Sequence, residues 1–141
     1  MAAVKRMLRY LKGTPNMGLE FNSSGRKPGD PWELTMYVDA DYANDRITRR
    51  SKTGWLIFLD SNLVAYGSRL QTSTARSSTE AEYIAMSMAV KELLWVRNIM
   101  TSIGFKIKSP IQVREDNQPA IELAENAMAS KRTRGMDIKH H

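Results

Sequence analysis

The sequence predicts a single mixed α/β domain, and three stretches carry that prediction. Glu33 to Asp39 alternates, with Leu34, Met36 and Val38 on one side and Glu33, Thr35, Tyr37 and Asp39 on the other, which is the period of a half-buried strand. Thr53–Leu59 (TGWLIFL) is almost continuously apolar, as a strand covered on both faces would be. Residues 78–101 carry apolar side chains at most helical positions (Ala81, Ile84, Ala85, Met88, Leu93, Trp95, Val96 and Ile99 among them), which predicts a long core helix.

The remaining elements follow in chain order. Residues 2–12 read as a short amphipathic helix: Val4, Met7, Leu8 and Leu11 share a face, and Lys5, Arg6, Arg9 and Lys12 fill the other. Gly13, Thr14 and Pro15 stop it. Residues 17–22 are compatible with a short strand, and NSSGRKPGDP (22–31) is loop chemistry. That loop sets the expected boundary between an appendage, residues 1–28, and the main domain, residues 29–141. A long polar turn spans 41–52. Asp60-Ser61-Asn62 is a tight turn, so Leu63–Ser68 pairs back on the preceding strand. After Gly104 and Pro110 come a short strand, Ile111–Glu115, and a helix that Asn117 can cap and whose first turn tolerates Pro119, fraying near Asn126. The order β-β-β-α-β-α gives an antiparallel run followed by a crossover, hence a mixed sheet with helices packed on it. Trp55, Phe58 and Trp95 are expected in the core.

Composition narrows the chemistry. The chain has 141 residues and no cysteine, so a disulfide framework, a thiolate zinc site and a cysteine nucleophile are excluded. Its two histidines, His140 and His141, are adjacent at the end, a poor arrangement for a Ser-His-Asp triad. No apolar run is long enough for a transmembrane helix, so no membrane partner is expected. There are 21 basic and 15 acidic residues, a net charge of +6. Most of the excess lies in residues 1–28; the rest is nearly neutral, with basic clusters at Arg46–Lys52 and Lys131–Lys139. Basic clusters suit a polyanion. A solvated surface accounts for them equally well.

Three acids stand at element ends: Asp39 closes the first strand, Glu80 opens the long helix, and Asp116 follows the last strand. If the first and last strands are parallel neighbours, Asp39 and Asp116 leave the sheet at the same edge, and the helix can add Glu80 there. Converging carboxylates without a basic partner suit hard divalent cations, and two such cations suit phosphoryl chemistry. Each acid also has a plainer role. Asp39 can be an exposed strand end and Asp116 a cap beside Asn117. Ser77 and Glu80 form a capping box; Thr79 and Glu82 form an equally good one a register on, which would free Glu80. Asp41 is a helper acid or part of the turn.

The strings YVDADYAND (Tyr37–Asp45), RSKTGWLIFL (Arg50–Leu59), SSTEAEYIA (Ser77–Ala85) and DNQPAIEL (Asp116–Leu123) resemble the ribonuclease H domain of copia-type LTR retrotransposon polyproteins. KRMLRYLKGTPNMGLEF resembles the tail of the reverse-transcriptase region that precedes it, and KRTRGMDIKHH the segment after its second helix. The resemblance runs in order along essentially the whole chain. It implies a ribonuclease H-like mixed five-stranded sheet with flanking helices, here lacking the last strand and helix. It implies Asp39, Glu80 and Asp116 as catalytic metal ligands, Mg2+ as cofactor with Mn2+ as substitute, and cleavage of the RNA strand of RNA–DNA hybrids during reverse transcription. The implied partners are the hybrid and the reverse-transcriptase domain of the same polyprotein. The implied setting is a cytoplasmic virus-like particle or the nucleus.

The chain also departs from that pattern. Tyr66 stands where the family usually has Trp, and Arg134-Gly135 where it has Lys-His. The family's fourth carboxylate falls beyond His141, and Asp137 does not match it. Weak or manganese-dependent cleavage and self-association through an open sheet edge are therefore expected. Two rival readings are a non-catalytic ribonuclease H-like nucleic-acid-binding or scaffold module, and a transposase or integrase of the same superfold. Basic residues near Arg46–Lys52, Arg69, Arg76 and Lys131–Arg134 are expected at a groove for backbone phosphates.

Overall fold

The computed structural model describes residues 2–23 and 25–137, and of Ala2 and residues 128–137 the backbone alone. It is a mixed α/β structure in which the elements run α1 (Ala2–Gly13), β1 (Leu34–Asp41), β2 (Lys52–Leu59), β3 (Asn62–Leu70), α2 (Ser78–Ser102), β4 (Gln112–Arg114) and α3 (Gln118–Asp137). Residues 17–22 form no strand. With few apolar neighbours there (Met17, Leu19 and Phe21 are all exposed), that segment has no ladder to join.

The sheet among the described residues has four strands, not the expected five, in the order β3-β2-β1-β4. β1 pairs antiparallel with β2 and parallel with β4. The β2–β3 hairpin closes through Asp60 and Ser61, both at positive φ (45° and 69°), which matches the twist of the flanking strands. Trp55 lies opposite Gly67 in that hairpin. A Cβ on Gly67 would fall 2.2 Å from the Trp55 indole, so glycine is what lets the ring lie flat across β3.

The core lies between one sheet face and α2. Leu34, Met36, Val38 and Ala40 of β1 and Trp55 and Ile57 of β2 meet Ala81, Ala85, Ala89, Leu93 and Val96 of α2. The alanines recur every fourth residue, a stripe that brings the helix axis close to the sheet. Trp55 is buried as expected, but Trp95 is 60% exposed. α2 packs on β1 and β2 with one face and on α3 with another. Leu94, Trp95 and Ile99 point away from these neighbours, so the helix is buried on one side rather than all round.

The N-terminal segment is fastened to the far end of the sheet. Arg26 Nε pairs with Asp60 at 3.1 Å and its guanidinium lies 3.5 Å over the Trp32 ring. Asn22 N–H donates to Asn62 Oδ1 at 2.7 Å. The expected boundary at residue 28 thus falls beyond two residues bonded to the hairpin. α1 leaves Val4, Met7, Leu8 and Leu11 exposed.

Candidate metal centre

Strand register builds the site. Tyr37 of β1 stands opposite Arg114 of the parallel β4, so two residues further on Asp39 and Asp116 come side by side; Asp39 does not close β1 as expected, being still paired with Gly54 in a strand that runs to Asp41, while Asp116 lies just past β4. α2 begins over the same sheet end. Its first turn is tied to the sheet by Gln71, which is fully buried: its Nε2 donates to Thr53 Oγ1 and to the carbonyl of Ala81, each at 3.0 Å. The residue after Ala81 is Glu82. Carboxylate oxygens of Asp39, Glu82 and Asp116 lie within 4.8 Å of one another.

Of the three acids expected at one site, Glu80 is not in this cluster, and Glu82 stands there instead. The Glu80 carboxylate accepts the backbone N–H of Arg76 at 2.7 Å, while its own N–H donates to Ser77 Oγ at 3.1 Å. Ser77 is the N-cap in extended conformation. Of the two overlapping capping registers, the Ser77–Glu80 one forms and Glu82 is left free. Asp41 bonds to Asn44 within the turn.

Electrostatics single out Glu82. It is 6% exposed, and its Oε2 is buried without a hydrogen-bond partner. Burial, then the charges of Glu115 and Asp39, push its carboxyl up to about 7, against the pull of a backbone hydrogen bond at Ala40. Burial likewise raises Glu115. The ion pairs among the described residues, Arg26–Asp60, Arg69–Glu92 and Lys108–Glu33, leave this cluster without a basic partner. A buried, unpaired carboxylate oxygen beside two further carboxylates is the donor set of a hard divalent cation, and the residues fit one.

The acids open onto a cleft of about 710 Å³ on the sheet face opposite α2, lined by Tyr37, Leu56 and Tyr66 as well as Asp39, Glu115 and Asp116. Arg114 lines it too, its guanidinium 5.7 Å from the Tyr37 ring centroid. Arg114 was not among the expected basic groove residues; its position in strand alternation after Gln112 was the available signal. Arg69 instead pairs with Glu92. The side chains of Lys131–Arg134, like Lys139, His140 and His141, lie outside the described residues.

The fold is thus a mixed α/β domain with a carboxylate trio at one end of its sheet. Comparison with known proteins places the chain more closely. It is 40% identical over 139 residues to the retrovirus-related Pol polyprotein from transposon TNT 1-94 of Nicotiana tabacum, covering 99% of this chain and 10% of that protein. It is 33% identical over 141 residues to the corresponding polyprotein from transposon RE1 of Arabidopsis thaliana, covering 100% of this chain and 9% of that protein. It is also 44% identical over 94 residues to secreted RxLR effector protein 161 of Plasmopara viticola, covering 67% and 63% of the two chains. The two relatives matched over the whole chain are thus retrovirus-related Pol polyproteins of transposons, and the chain spans about a tenth of their length. No protein-family model and no solved structure matches it.

Proposed function

We propose that the chain is a ribonuclease H-like domain of a copia-type retrotransposon Pol polyprotein, a divalent-cation-dependent endonuclease acting on the RNA strand of RNA–DNA hybrids. The single observation that carries this reading is the convergence of Asp39, Glu82 and Asp116 on one sheet end, with Glu82 buried and unpaired. The similarity to retrovirus-related Pol polyproteins of transposons supplies the setting.

Asp39, Glu82 and Asp116 are the residues to hold Mg2+ or Mn2+; Glu82 takes the place expected of Glu80. Divalent cations held there would supply polarisation of an attacking water and of the departing 3′ oxygen. The chain's own part is to orient the carboxylates. Strand register fixes Asp39 against Asp116, and the Gln71 anchor fixes the height of Glu82. Tyr37, Leu56 and Tyr66 offer an apolar wall beside the acids, and Arg114 a cation for a backbone phosphate.

The test is cleavage of labelled RNA–DNA hybrid with Mg2+ or Mn2+, with double-stranded RNA as control. The RNA strand of the hybrid is expected to be cut and double-stranded RNA left intact, with Asp39→Asn inactive but folded. A parent chain that binds the hybrid and never cuts it would support the scaffold reading instead.

A further inference from the structure

We propose that the turn between β1 and β2, residues 44–51, is a preformed prong that grips the substrate duplex through its minor groove, with Ile47 against the sugars and Arg46 and Arg49 on backbone phosphates. The inference rests on the endonuclease reading above and extends it from the cation centre to the surface that holds the duplex.

The turn stands at the acid end of the sheet. β1 and β2 part at the Asp41–Lys52 pair, two residues past Asp39. At about 3.3 Å per residue, the turn opens roughly 7 Å from Asp39 along the strand. A duplex held with a phosphate at the acids runs beside it.

Asp45 organises the turn. Its carboxylate accepts the Ile47 N–H at 3.1 Å and the Thr48 hydroxyl. Its carbonyl accepts the Arg49 N–H at 2.8 Å, and its own N–H donates to the Arg50 carbonyl at 3.2 Å. At the base, the Ala43 N–H donates to the hydroxyl of the fully buried Ser51 at 3.0 Å. Ala43 and Arg49 both sit at positive φ, 51° and 57°, a conformation that residues other than glycine hold where their surroundings impose it.

This ordered turn carries an apolar tip among cations. Ile47 is 92% exposed, more than any other large apolar side chain among the described residues. Arg46, Arg49, Arg50 and Lys52 flank it, and the ion pairs among the described residues take up none of them. Asp45 is the one acid between Ala43 and Lys52, and its carboxylate is engaged within the turn. A rigid apolar tip between unpaired cations fits a polyanion with a groove. An RNA-containing duplex takes the A form, whose major groove is too deep and narrow for side chains and whose minor groove is wide and shallow. An isoleucine packs there against the sugars, while the cations beside it meet phosphates. A bilayer is the poorer match, because one isoleucine buries too little apolar area to hold a protein at a membrane.

The test is fluorescence anisotropy of labelled RNA–DNA hybrid with the whole chain in EDTA, where no cleavage occurs, across a range of salt. Arg46→Gln combined with Arg49→Gln is expected to weaken binding and to flatten its dependence on log salt by about two phosphate contacts. Ile47→Ser is expected to weaken binding roughly tenfold, the scale of losing a buried apolar side chain, at unchanged salt dependence. Asp45→Ala separates order from charge. Removing a negative charge alone tightens binding to a polyanion, whereas releasing the turn weakens it, and weakening is expected. Thermal unfolding checks that each variant is folded; should Asp45→Ala not fold, Thr48→Val, which removes one bond to Asp45, is read in its place and is expected to weaken binding. Parent-like affinity in Ile47→Ser, or tighter binding by Asp45→Ala, would overturn the prong, while cleavage of the hybrid by the parent would leave the endonuclease reading standing. Loss of binding to anionic phospholipid vesicles in Ile47→Ser, with hybrid binding unchanged, would overturn it in favour of a membrane contact. A parent that neither binds nor cuts the hybrid would overturn both.

Discussion

Glu80 and Glu82 stand two residues apart on α2, and their carboxylates serve opposite ends of the problem. Two residues turn a helix by about 200°. Glu80 therefore closes back on the Arg76 N–H at 2.7 Å, while Glu82 is buried beside Asp39 and Asp116. One acid sets where the helix begins; the other uses that start to reach the sheet end.

The capping role predicts a stability effect without a binding effect. Removing the capping side chain, as in Ser77→Ala or Glu80→Ala, is expected to cost about 1 kcal/mol. Chemical denaturation should show this as a lowered midpoint at unchanged slope. Mn2+ affinity measured alongside should remain that of the parent.

Glu82 predicts a pH dependence of stability with a definite sign. Its carboxyl is raised from 4.5 to about 7, so between those values the folded chain keeps a proton that the unfolded chain has lost. Stability of the metal-free protein should fall as pH rises through that window, by on the order of 3 kcal/mol in all. Glu82→Gln should remove most of the slope and be the more stable protein at pH above about 7, with a smaller residue of the same sign from Glu115. Urea unfolding of both proteins on either side of the window is the measurement. Equal slopes in the two would show that Glu82 does not titrate as its burial requires.

Gly67 predicts a packing effect in the wall of the cleft the acids share. An alanine Cβ there would meet the Trp55 ring at 2.2 and 2.4 Å, and Trp55 is itself core. Gly67→Ala is expected to destabilise by about 1–3 kcal/mol, as overpacked cores do. Trp55→Leu in the same background should recover part of the loss. Thermal unfolding of the two variants decides it; a neutral Gly67→Ala would mean the indole has room to move.

Much of the site is legible in the sequence because strands are simple. Alternation puts Asp39 on the polar face of a strand, and an acid directly after a short strand marks Asp116; a parallel pairing then brings them together. The third acid is not legible in the same way. Ser77–Glu80 and Thr79–Glu82 are equally good local caps, and the choice between them depends on Gln71 reaching the Ala81 carbonyl, a contact 10 residues away along the chain. Trp95 misleads for a related reason. The apolar residues of α2 outnumber the surfaces available to cover them, since β1, β2 and α3 take only part of its circumference. Glu115 is masked by its neighbour: beside a strand-end aspartate, a second acid reads as surface charge until its burial is known.

The most direct test of the account is to compare hybrid cleavage by Glu80→Gln and Glu82→Gln side by side, in Mn2+, with circular dichroism confirming that both are folded. The two substitutions are chemically identical and two residues apart, so nothing but position distinguishes them. The structure predicts that Glu80→Gln cuts the RNA strand as the parent does and that Glu82→Gln does not cut it. Cleavage surviving in Glu82→Gln, or lost in Glu80→Gln alone, would contradict the assignment of the buried glutamate to the metal centre.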